Sequence, residues 1–400
     1  MRIAHLADLH LGFRQYQRLT PAGINQRETD VARAFDAVVD KLIALEPDAI
    51  VIGGDIFHSA RPSNTAILHA YNRFHRLATS LPRTPVVMVG GNHDMPRTEE
   101  AGCILNLFRA VGVHVAAIRA EYVHLPGLEL SVLAVPDAPG ARPALLPDPR
   151  ARHNVLLLHG EVEGMLGAHA TQGDRAVQEI PRSELGAGAF DYVALGHYHV
   201  HRQIEPNAYY SGSIDYTSTN PWGEIVEQRE LGVPGKGFVI HDLATGTHEF
   251  HSLEGRRFVS LPAIDARGMS ETELDRAIAE RVASCDGGID DSVVRLIVRD
   301  VPPHVVRRLD YRSVREFKRR ALHFHLDTRR PEILRAAGGG SPGRRPSLVD
   351  TVREKLASRV VDASIDRARL VDLGLRYLEE ADAVAAAANA PDAVDSAVDS

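Results

Sequence analysis

Along the first 250 positions, apolar residues form short runs that end in polar residues. Seven such runs lie at 2–8, 48–55, 84–92, 129–136, 154–160, 191–197 and 237–243. Most are apolar throughout, as in "DAIVIGGD" (48–55), which indicates strands buried on both faces of a sheet. Between the earlier runs, apolar residues recur at helical spacing, and strands that alternate with helices predict a layered α/β fold. The later runs are joined by turns, so we expect a mixed sheet or two stacked sheets.

The pattern changes near residue 255 and predicts further domains beyond a first domain at 1–254. Residues 255–335 contain strand-like runs and one helix, with Ser270 as its predicted N-cap and Glu273 completing a capping box, which indicates a small α+β domain. The Gly, Pro and Ser content of 336–347 predicts a flexible linker. Two apolar stripes at helical spacing then predict a helix pair at 348–385, and the acidic segment 386–400 is expected to be disordered. The helix pair either folds back on the body or binds another protein, and we favour a partner.

Composition narrows the class of protein. The N-terminus lacks the apolar segment of a signal peptide and no run of 18 apolar residues occurs, so we expect a cytosolic protein without a membrane partner. The two cysteines, Cys103 and Cys285, are far apart, so any metal should be held by nitrogen and oxygen.

Charge is distributed unevenly along the chain. The net charge is −7, but residues 255–346 contain 19 Arg and Lys against 13 Asp and Glu, which gives +6 there and −13 elsewhere. The most basic stretch, 307–320, is either a surface for phosphate groups or a solvated helix face, and charge alone leaves both interpretations open.

The candidate chemistry lies where the apolar runs end. In a layered α/β fold, the loops at the carboxyl ends of the strands converge on one crevice, so the polar residues that follow these runs should meet there. Each motif is weak by itself, since a single histidine after a buried strand is more often a hydrogen-bonded core residue. Together they supply more candidate ligands than one tetrahedral ion uses: Asp8, His10, Asp55, Asn92, His159, His197 and His199. Such a set suits two divalent ions bridged by a carboxylate, the arrangement used in phosphoester hydrolysis, and favours manganese, iron or zinc over calcium.

These residues also carry a family resemblance. The motifs Asp8-x-His10, Gly54-Asp55, Gly91-Asn92-His93-Asp94, His159-Gly160 and Gly196-His197-x-His199 match the calcineurin-like metallophosphoesterase signature. More narrowly, "GGDIFHSARPS", the "GNHD" motif and the order of the later domains resemble the SbcD-type nucleases of DNA double-strand-break repair. The resemblance implies a four-layer α/β sandwich of two mixed sheets flanked by helices, followed by a small α+β capping domain and a C-terminal helical extension.

The resemblance also implies roles for individual residues. One ion would be held by Asp8, His10 and His199, the other by Asn92, His159 and His197, with Asp55 as the bridge. His93 would stand beside the scissile phosphate and protonate the leaving oxygen, Asp94 would orient the imidazole of His93, and His58 would contact the phosphate. The third histidine of "GHYHVH", His201, is expected to have a surface or supporting role.

The function implied by the resemblance is a metal-dependent DNA exonuclease and endonuclease, acting on double-strand ends, hairpins and single strands with two divalent ions, of which Mn²⁺ is expected. It further implies a homodimer formed through helices of the catalytic domain and capture of an SbcC-like coiled-coil ATPase by the helix pair. Two alternatives are a phosphatase on the same scaffold and a DNA-tethering scaffold with a vestigial site. The segment 211–224 resembles the corresponding family loop only loosely, so no substrate contacts are assigned to it.

Overall fold

A computed structural model describes residues 1–96, 102–140, 142–165, 176–177, 179–331, 348–358 and 366–388. The chain divides into two compact units, Met1–Pro331 and Glu332–Ser400. The predicted linker at 336–347 lies outside the described residues, as do residues 389–400 of the predicted tail.

The strands, numbered in chain order, are β1 (Arg2–Leu6), β2 (Ala49–Ile52), β3 (Val86–Val89), β4 (His114–Ala116), β5 (Glu121–Leu125), β6 (Leu130–Val135), β7 (His153–His159), β8 (Glu161–Val162), β9 (Glu179–Ile180), β10 (Tyr192–Gly196), β11 (Arg202–Glu205), β12 (Ala208–Tyr210), β13 (Gly237–Asp242), β14 (His248–Ser252), β15 (Phe258–Asp265), β16 (Val293–Arg299) and β17 (His323–Thr328). The α-helices are α1 (Gln26–Leu45), α2 (Asn64–Ser80), α3 (Pro221–Leu231), α4 (Glu271–Ala283), α5 (Pro303–Arg308), α6 (Tyr311–Arg320), α7 (Leu348–Ser358) and α8 (Arg367–Ala388). Short 3₁₀ helices occur at Ile104–Val111, Pro126–Leu128, Arg182–Glu184 and Ala187–Ala189. Each of the seven predicted runs forms a strand.

Two six-stranded mixed sheets form the body of the first unit. The first has the order β14-β13-β1-β2-β3-β4, in which β1 to β4 are parallel and β13 is antiparallel to β1. The second has the order β11-β12-β10-β7-β6-β5, with the parallel set β12, β10, β7 and β6 in its centre. This confirms the predicted α/β fold with two mixed sheets.

The sheets are held together by apolar residues from their facing sides. Val51 and Val87 of the first sheet share one buried cluster with Val132 and Leu157 of the second. Helices α1 and α2 and the 3₁₀ helix Ile104–Val111 cover the outer face of the first sheet through residues such as Phe35. Because both sheets are covered, the strand ends are the open edge at which polar side chains can gather.

The outer face of the second sheet packs, among the described residues, against short 3₁₀ helices. Its buried cluster includes Leu185, Ala187 and Phe190, which lie in or beside the one-turn helices Arg182–Glu184 and Ala187–Ala189. These residues pack against apolar side chains of β7 and β10.

The small sheet β15-β16-β17 is parallel and has its own apolar core, which includes Leu274, Ile278 and Phe324. Helix α4 begins with the predicted capping box, in which the hydroxyl oxygen of Ser270 accepts from the Glu273 amide and the Glu273 carboxylate accepts from the Ser270 amide. The predicted helix pair is also present, as α7 and α8, and a Cβ on Gly374 would come within 2.4 Å of Leu356. In the part of the chain that the structure describes, no helix is long and apolar enough to cross a membrane.

Candidate metal centre

The predicted ligands gather at the carboxyl ends of the central strands. A cleft of about 210 Å³ is lined by His10, Phe13, Arg14, Gln15, Asp55, His58, Asn92, His93, His197, His199, Thr217 and Thr219. Asp8 and His159 are buried beside it, with 0% and 2% of their surfaces exposed. The structure therefore brings together all seven residues that the sequence suggested as candidate metal ligands.

The donor atoms form two pairs with a carboxylate between them. The Nε2 atoms of His10 and His199 are 3.0 Å apart, and Nε2 of His159 is 3.0 Å from Oδ1 of Asn92. Asp55 Oδ2 lies 3.7 Å from Nε2 of His10 and 3.6 Å from Nε2 of His159. This is the position that a bridging ligand would occupy.

Asp8 belongs to two groups of candidate ligands, one with His10 and His199 and one with Asp55 and His159, in each of which all the ligand atoms lie within 4.8 Å of one another. A third group of the same kind combines His10, His58 and His93. Carboxylate, amide and imidazole donors converge in these groups. Such a set is better explained as a site for a divalent first-row metal ion than as an ordinary cluster of polar residues in a protein core.

The backbone adopts uncommon conformations to aim these side chains. Asp8, His10, Asp55 and His197 have positive φ angles of 54°, 45°, 51° and 107°. Each such residue costs on the order of 1–3 kcal/mol, and these conformations persist only where the surrounding structure enforces them. Four strained residues among seven candidate ligands therefore point to a functional site.

Glycine is required where two strand-end loops touch. A Cβ on Gly91 would lie 2.1 Å from Oδ1 of Asp55, and one on Gly196 would lie 1.9 Å from the carbonyl oxygen of Gly53. Gly91 and Gly196 are therefore needed for the close approach of these loops.

Hydrogen bonds fix the orientation of several donors. Nδ1 of His159 is 2.6 Å from the carbonyl oxygen of Gly53, so Nδ1–H donates and the lone pair of Nε2 faces Asn92. The Asp8 carboxylate accepts from the His197 amide at 3.0 and 3.1 Å, and Asp55 accepts from the His93 amide at 2.9 Å.

Burial sets the electrostatics of the site. It raises the pKa of Asp55 and lowers the pKa values of His10 and His197, with neighbouring imidazoles adding to the lowering. For His159, burial lowers the pKa, but the charges of Asp55 and Asp8 outweigh it and raise the pKa overall. Buried carboxylates beside imidazoles with low pKa values form a pocket whose charge a bound cation would balance.

His93 and His58 line the cleft as a stacked pair, with ring centroids 5.2 Å apart. Nδ1 of His93 is 2.9 Å from the carbonyl oxygen of His58, which therefore accepts from Nδ1–H. The contacts of Asp94 differ from those the resemblance implied. Its buried carboxylate accepts from three backbone amides, those of Ile56, Phe57 and Gly91, at 3.0–3.1 Å, and not from the His93 imidazole.

Sequence reasoning missed Glu224 and Lys236, which lie behind His199. Nδ1 of His199 faces Oε1 of Glu224 at 3.7 Å, and the Lys236 ammonium donates to the other carboxylate oxygen. Burial opposes ionisation of Glu224, but Lys236 and His199 outweigh it and lower its pKa to about 2. Glu224 is the last residue of the segment 211–224. The loose match of this segment to the family loop was the only sequence signal that pointed to Glu224. His201 binds elsewhere, with Nδ1 at 2.9 Å from the Tyr210 carbonyl oxygen.

A basic groove runs between the 16–18 loop of the first domain and α6. The groove has a volume of about 620 Å³ and is lined by Tyr16, Gln17, Arg18, Lys318, Arg319, Leu322, His323 and Phe324. Arg18 joins its walls by donating to the carbonyl oxygens of Arg319 and Ala321 at 2.6 and 2.8 Å, and the ring of Tyr16 stacks on His323 with centroids 4.1 Å apart.

Comparison with known proteins agrees with this geometry. The model of the calcineurin-like phosphoesterase family matches residues 1–201. A DNA double-strand break repair protein Mre11 from Methanococcus maripaludis is 25% identical over 295 residues, which cover 70% of this chain and 73% of that protein. The protein of the same name from Methanocaldococcus jannaschii is 25% identical over 292 residues, covering 68% and 72%, and that from Sulfolobus acidocaldarius is 29% identical over 210 residues, covering 51% and 50%.

Proposed function

Because this chain belongs to the calcineurin-like phosphoesterase family, we propose that it is a metal-dependent DNA repair nuclease of the SbcD type, related to the Mre11 proteins. It would act as an exonuclease and endonuclease on double-strand ends, hairpins and single strands. The observation that carries the proposal is the position of Asp55 between the His10–His199 and Asn92–His159 pairs.

The donor set fits two divalent ions. Asp8, His10 and His199 would hold one, Asn92, His159 and His197 would hold the other, Asp55 would contact both, and we propose Mn²⁺ as the native metal. When bound, such ions activate water and neutralise the charge of phosphate oxygens.

The other roles in catalysis, protonation of the leaving group and contact with the phosphate, would belong to side chains of the cleft. The His58 carbonyl oxygen lies 2.9 Å from Nδ1 of His93 and accepts its proton in a hydrogen bond, which orients the ring. Nε2 of His93 would then transfer a proton to the leaving sugar oxygen. The ring of His58, stacked on His93, would contact the phosphate. Asp94 would support this arrangement through the backbone, because its carboxylate ties the loop after Asp55 to the loop that carries His93.

DNA, rather than a small phosphoester, is favoured by the basic groove. Arg18, Lys318 and Arg319 supply positive charge for a phosphate backbone, and the Tyr16–His323 stack offers an aromatic surface of the kind on which unpaired bases stack. In this proposal residues 255–335 are a DNA-capping domain attached to the catalytic domain at 1–254.

The helix pair supports a partner role. Leu373 and Tyr377 of α8 are exposed, with 38% and 61% of their surfaces accessible. We propose that residues 348–385, tethered by the linker at 336–347, bind an SbcC-like ATPase. We also propose that helices of the catalytic domain form a homodimer and that the protein works in the bacterial cytosol and nucleoid. Truncation after Gly340 should end co-purification with the ATPase and leave cutting of small substrates intact, and unchanged co-purification would contradict the assignment.

Incubating the purified protein with Mn²⁺ and internally labelled duplex or hairpin DNA tests the activity. A nuclease shortens the strands, a phosphatase removes only terminal phosphate, and a scaffold binds without cutting.

Lys318→Ala/Arg319→Ala should raise KM for DNA and reduce the slope of log KM against log salt by about two, at roughly one per phosphate contact. The same variant should cleave bis-p-nitrophenyl phosphate normally. Arg276→Ala/Arg281→Ala, on α4, is the matched control.

A further inference from the structure

A buried ion pair contacts the candidate ligand His199 from behind. Glu224 and Lys236 are only 8% and 5% exposed. The Lys236 ammonium donates to Glu224 Oε2, to the His199 carbonyl oxygen at 2.7 Å and to Ser213 Oγ at 2.9 Å. Both the side chain and the backbone of His199 are therefore in contact with this pair.

The other Glu224 oxygen faces the His199 ring. Oε1 of Glu224 and Nδ1 of His199 are 3.7 Å apart, slightly beyond hydrogen-bond distance, and each is a buried polar atom without a hydrogen-bond partner among the described residues. On its opposite side the ring directs Nε2 to within 3.0 Å of Nε2 of His10. A carboxylate on one ring nitrogen and a candidate metal position at the other is the arrangement that orients metal-binding histidines.

Stability does not explain why these charges are buried. Desolvating a carboxylate and an ammonium costs several kcal/mol per ion, and replacing such a pair by apolar side chains is often neutral or stabilising. The pair is nevertheless well supported: Glu224 lies in the first turn of α3, where the helix dipole favours a negative charge, and Lys236 lies 4.8 Å from the centre of the Tyr216 ring. Burying this ion pair is costly, and the surrounding groups are arranged to stabilise it. Because it lies beside a candidate ligand, we infer that it has a role in the site.

We propose that Glu224 and Lys236 are positioning residues for His199. Glu224 places its carboxylate opposite Nδ1 of His199, which favours the tautomer with Nδ1–H and with the Nε2 lone pair facing the metal position. Lys236 holds both the carboxylate and the His199 backbone in place. The inference rests on the proposed function, since it concerns the ion assigned to Asp8, His10 and His199. It assigns a role to the segment 211–224, which ends at Glu224.

The expected effect is selective. Loss of a partner that orients a metal-binding histidine typically lowers metal affinity by 10–100-fold. Affinity for one of the two ions should fall by that factor, while the ion assigned to Asn92, His159 and His197 should bind as before.

The test uses the full chain and the variant Glu224→Leu/Lys236→Met, which removes both charges at similar volume and so leaves neither charge buried without a partner. Titration with Mn²⁺, following the EPR signal of the free ion, should give two tight sites for wild type and one tight and one weakened site for the variant. Glu224→Gln/Lys236→Met, which also removes both charges but keeps the shape of Glu224 and an acceptor oxygen, should weaken the same site less, and it carries the test if Glu224→Leu/Lys236→Met does not fold. Glu227→Gln is the matched control, because Glu227 lies on the same helix but binds Tyr198 and Arg202.

Nitrogen NMR of the metal-free protein supplies a readout independent of activity. His199 should be protonated at Nδ1 in wild type and in Glu227→Gln. It should become a mixture of tautomers in Glu224→Leu/Lys236→Met. Identical Mn²⁺ isotherms for wild type and a folded variant would overturn this inference alone. Fewer than two Mn²⁺ ions per wild-type chain would instead overturn the proposed function.

Discussion

Replacing Arg27 by Met should destabilise the protein strongly. Arg27 is completely buried, and its guanidinium donates to Asp30 at 3.0 Å, to Asp215 at 3.0 Å and to the Tyr216 carbonyl oxygen at 2.9 Å. Through these bonds α1 holds the segment that follows β12, and Thr217 of that segment lines the cleft.

The magnitude follows from which partner is left without a counter-ion. Asp30 also accepts from Arg256 at 2.5 and 2.6 Å and so keeps a cation. Among the described residues, the Asp215 carboxylate keeps only the Tyr216 amide at 2.6 Å, and its Oδ2 has no partner even in wild type. The variant therefore leaves one uncompensated buried carboxylate rather than two, which costs about 3–5 kcal/mol. Arg27→Met/Asp215→Leu removes that charge as well and should recover at least about 2 kcal/mol of the loss.

The assay is urea unfolding of the metal-free protein at pH 7, followed by circular dichroism and by fluorescence of Trp222, the single tryptophan, whose ring centroid lies 5.9 Å from that of Phe258. Arg267→Met, which removes an ion pair whose side chains are 75% and 50% exposed, is the control and should leave stability unchanged. A loss below about 1 kcal/mol for Arg27→Met, or a double variant whose loss equals the sum of the two single losses, would refute the reasoning.

Three further predictions concern the site and the core. His93→Gln should reduce DNA cleavage by about 10²–10⁴-fold while two Mn²⁺ ions still bind; loss of metal by elemental analysis would show that the role is misassigned. Gly91→Ala should lower Mn²⁺ affinity, because its Cβ would lie 2.1 Å from Asp55 Oδ1, whereas Gly127→Ala, with no atom within 4 Å of its Cβ, should bind Mn²⁺ normally. Burial lowers the pKa of His5 from 6.5 to about 3, so the unfolded chain binds the proton first and stability should fall as the pH drops below 6.5. The loss from pH 7 to pH 5, measured by urea unfolding, should be roughly 2 kcal/mol larger for wild type than for His5→Gln, and equal losses would contradict the assignment.

The sequence predicted the central strands and the candidate ligands because both depend on local pattern. A strand buried on both faces must be apolar along its length, so β2 and β7 are visible as continuous runs. The polar residues that follow such runs must lie at the strand ends, and parallel strands place those ends together. Shorter or more exposed strands carry no such pattern, since β4 has only three residues, one of them exposed, and none of the five residues of β14 is buried.

The contacts of Asp94 show where local reasoning ends. The family resemblance implied that its carboxylate orients the imidazole of His93, its neighbour in sequence. The amide of Asp94 instead donates to the Gly91 carbonyl oxygen at 3.1 Å, and this tight turn directs the carboxylate under the loop that follows Asp55. Three donors from two loops then satisfy the carboxylate, and although all three lie in the quoted motifs, the sequence does not show that their amides point to Asp94.

Glu224 and Lys236 were unpredictable for a related reason. They lie 25 and 37 residues beyond His199, in a helix start and a strand start whose local patterns indicate exposed positions. Charged residues are ordinarily assigned to the surface because an unpaired buried charge is costly, and only the fold shows that each has the other as its counter-ion. The ligands of such a site can be predicted from strand-end motifs, whereas the groups that orient them arrive from distant segments, so their number and identity depend on the three-dimensional packing.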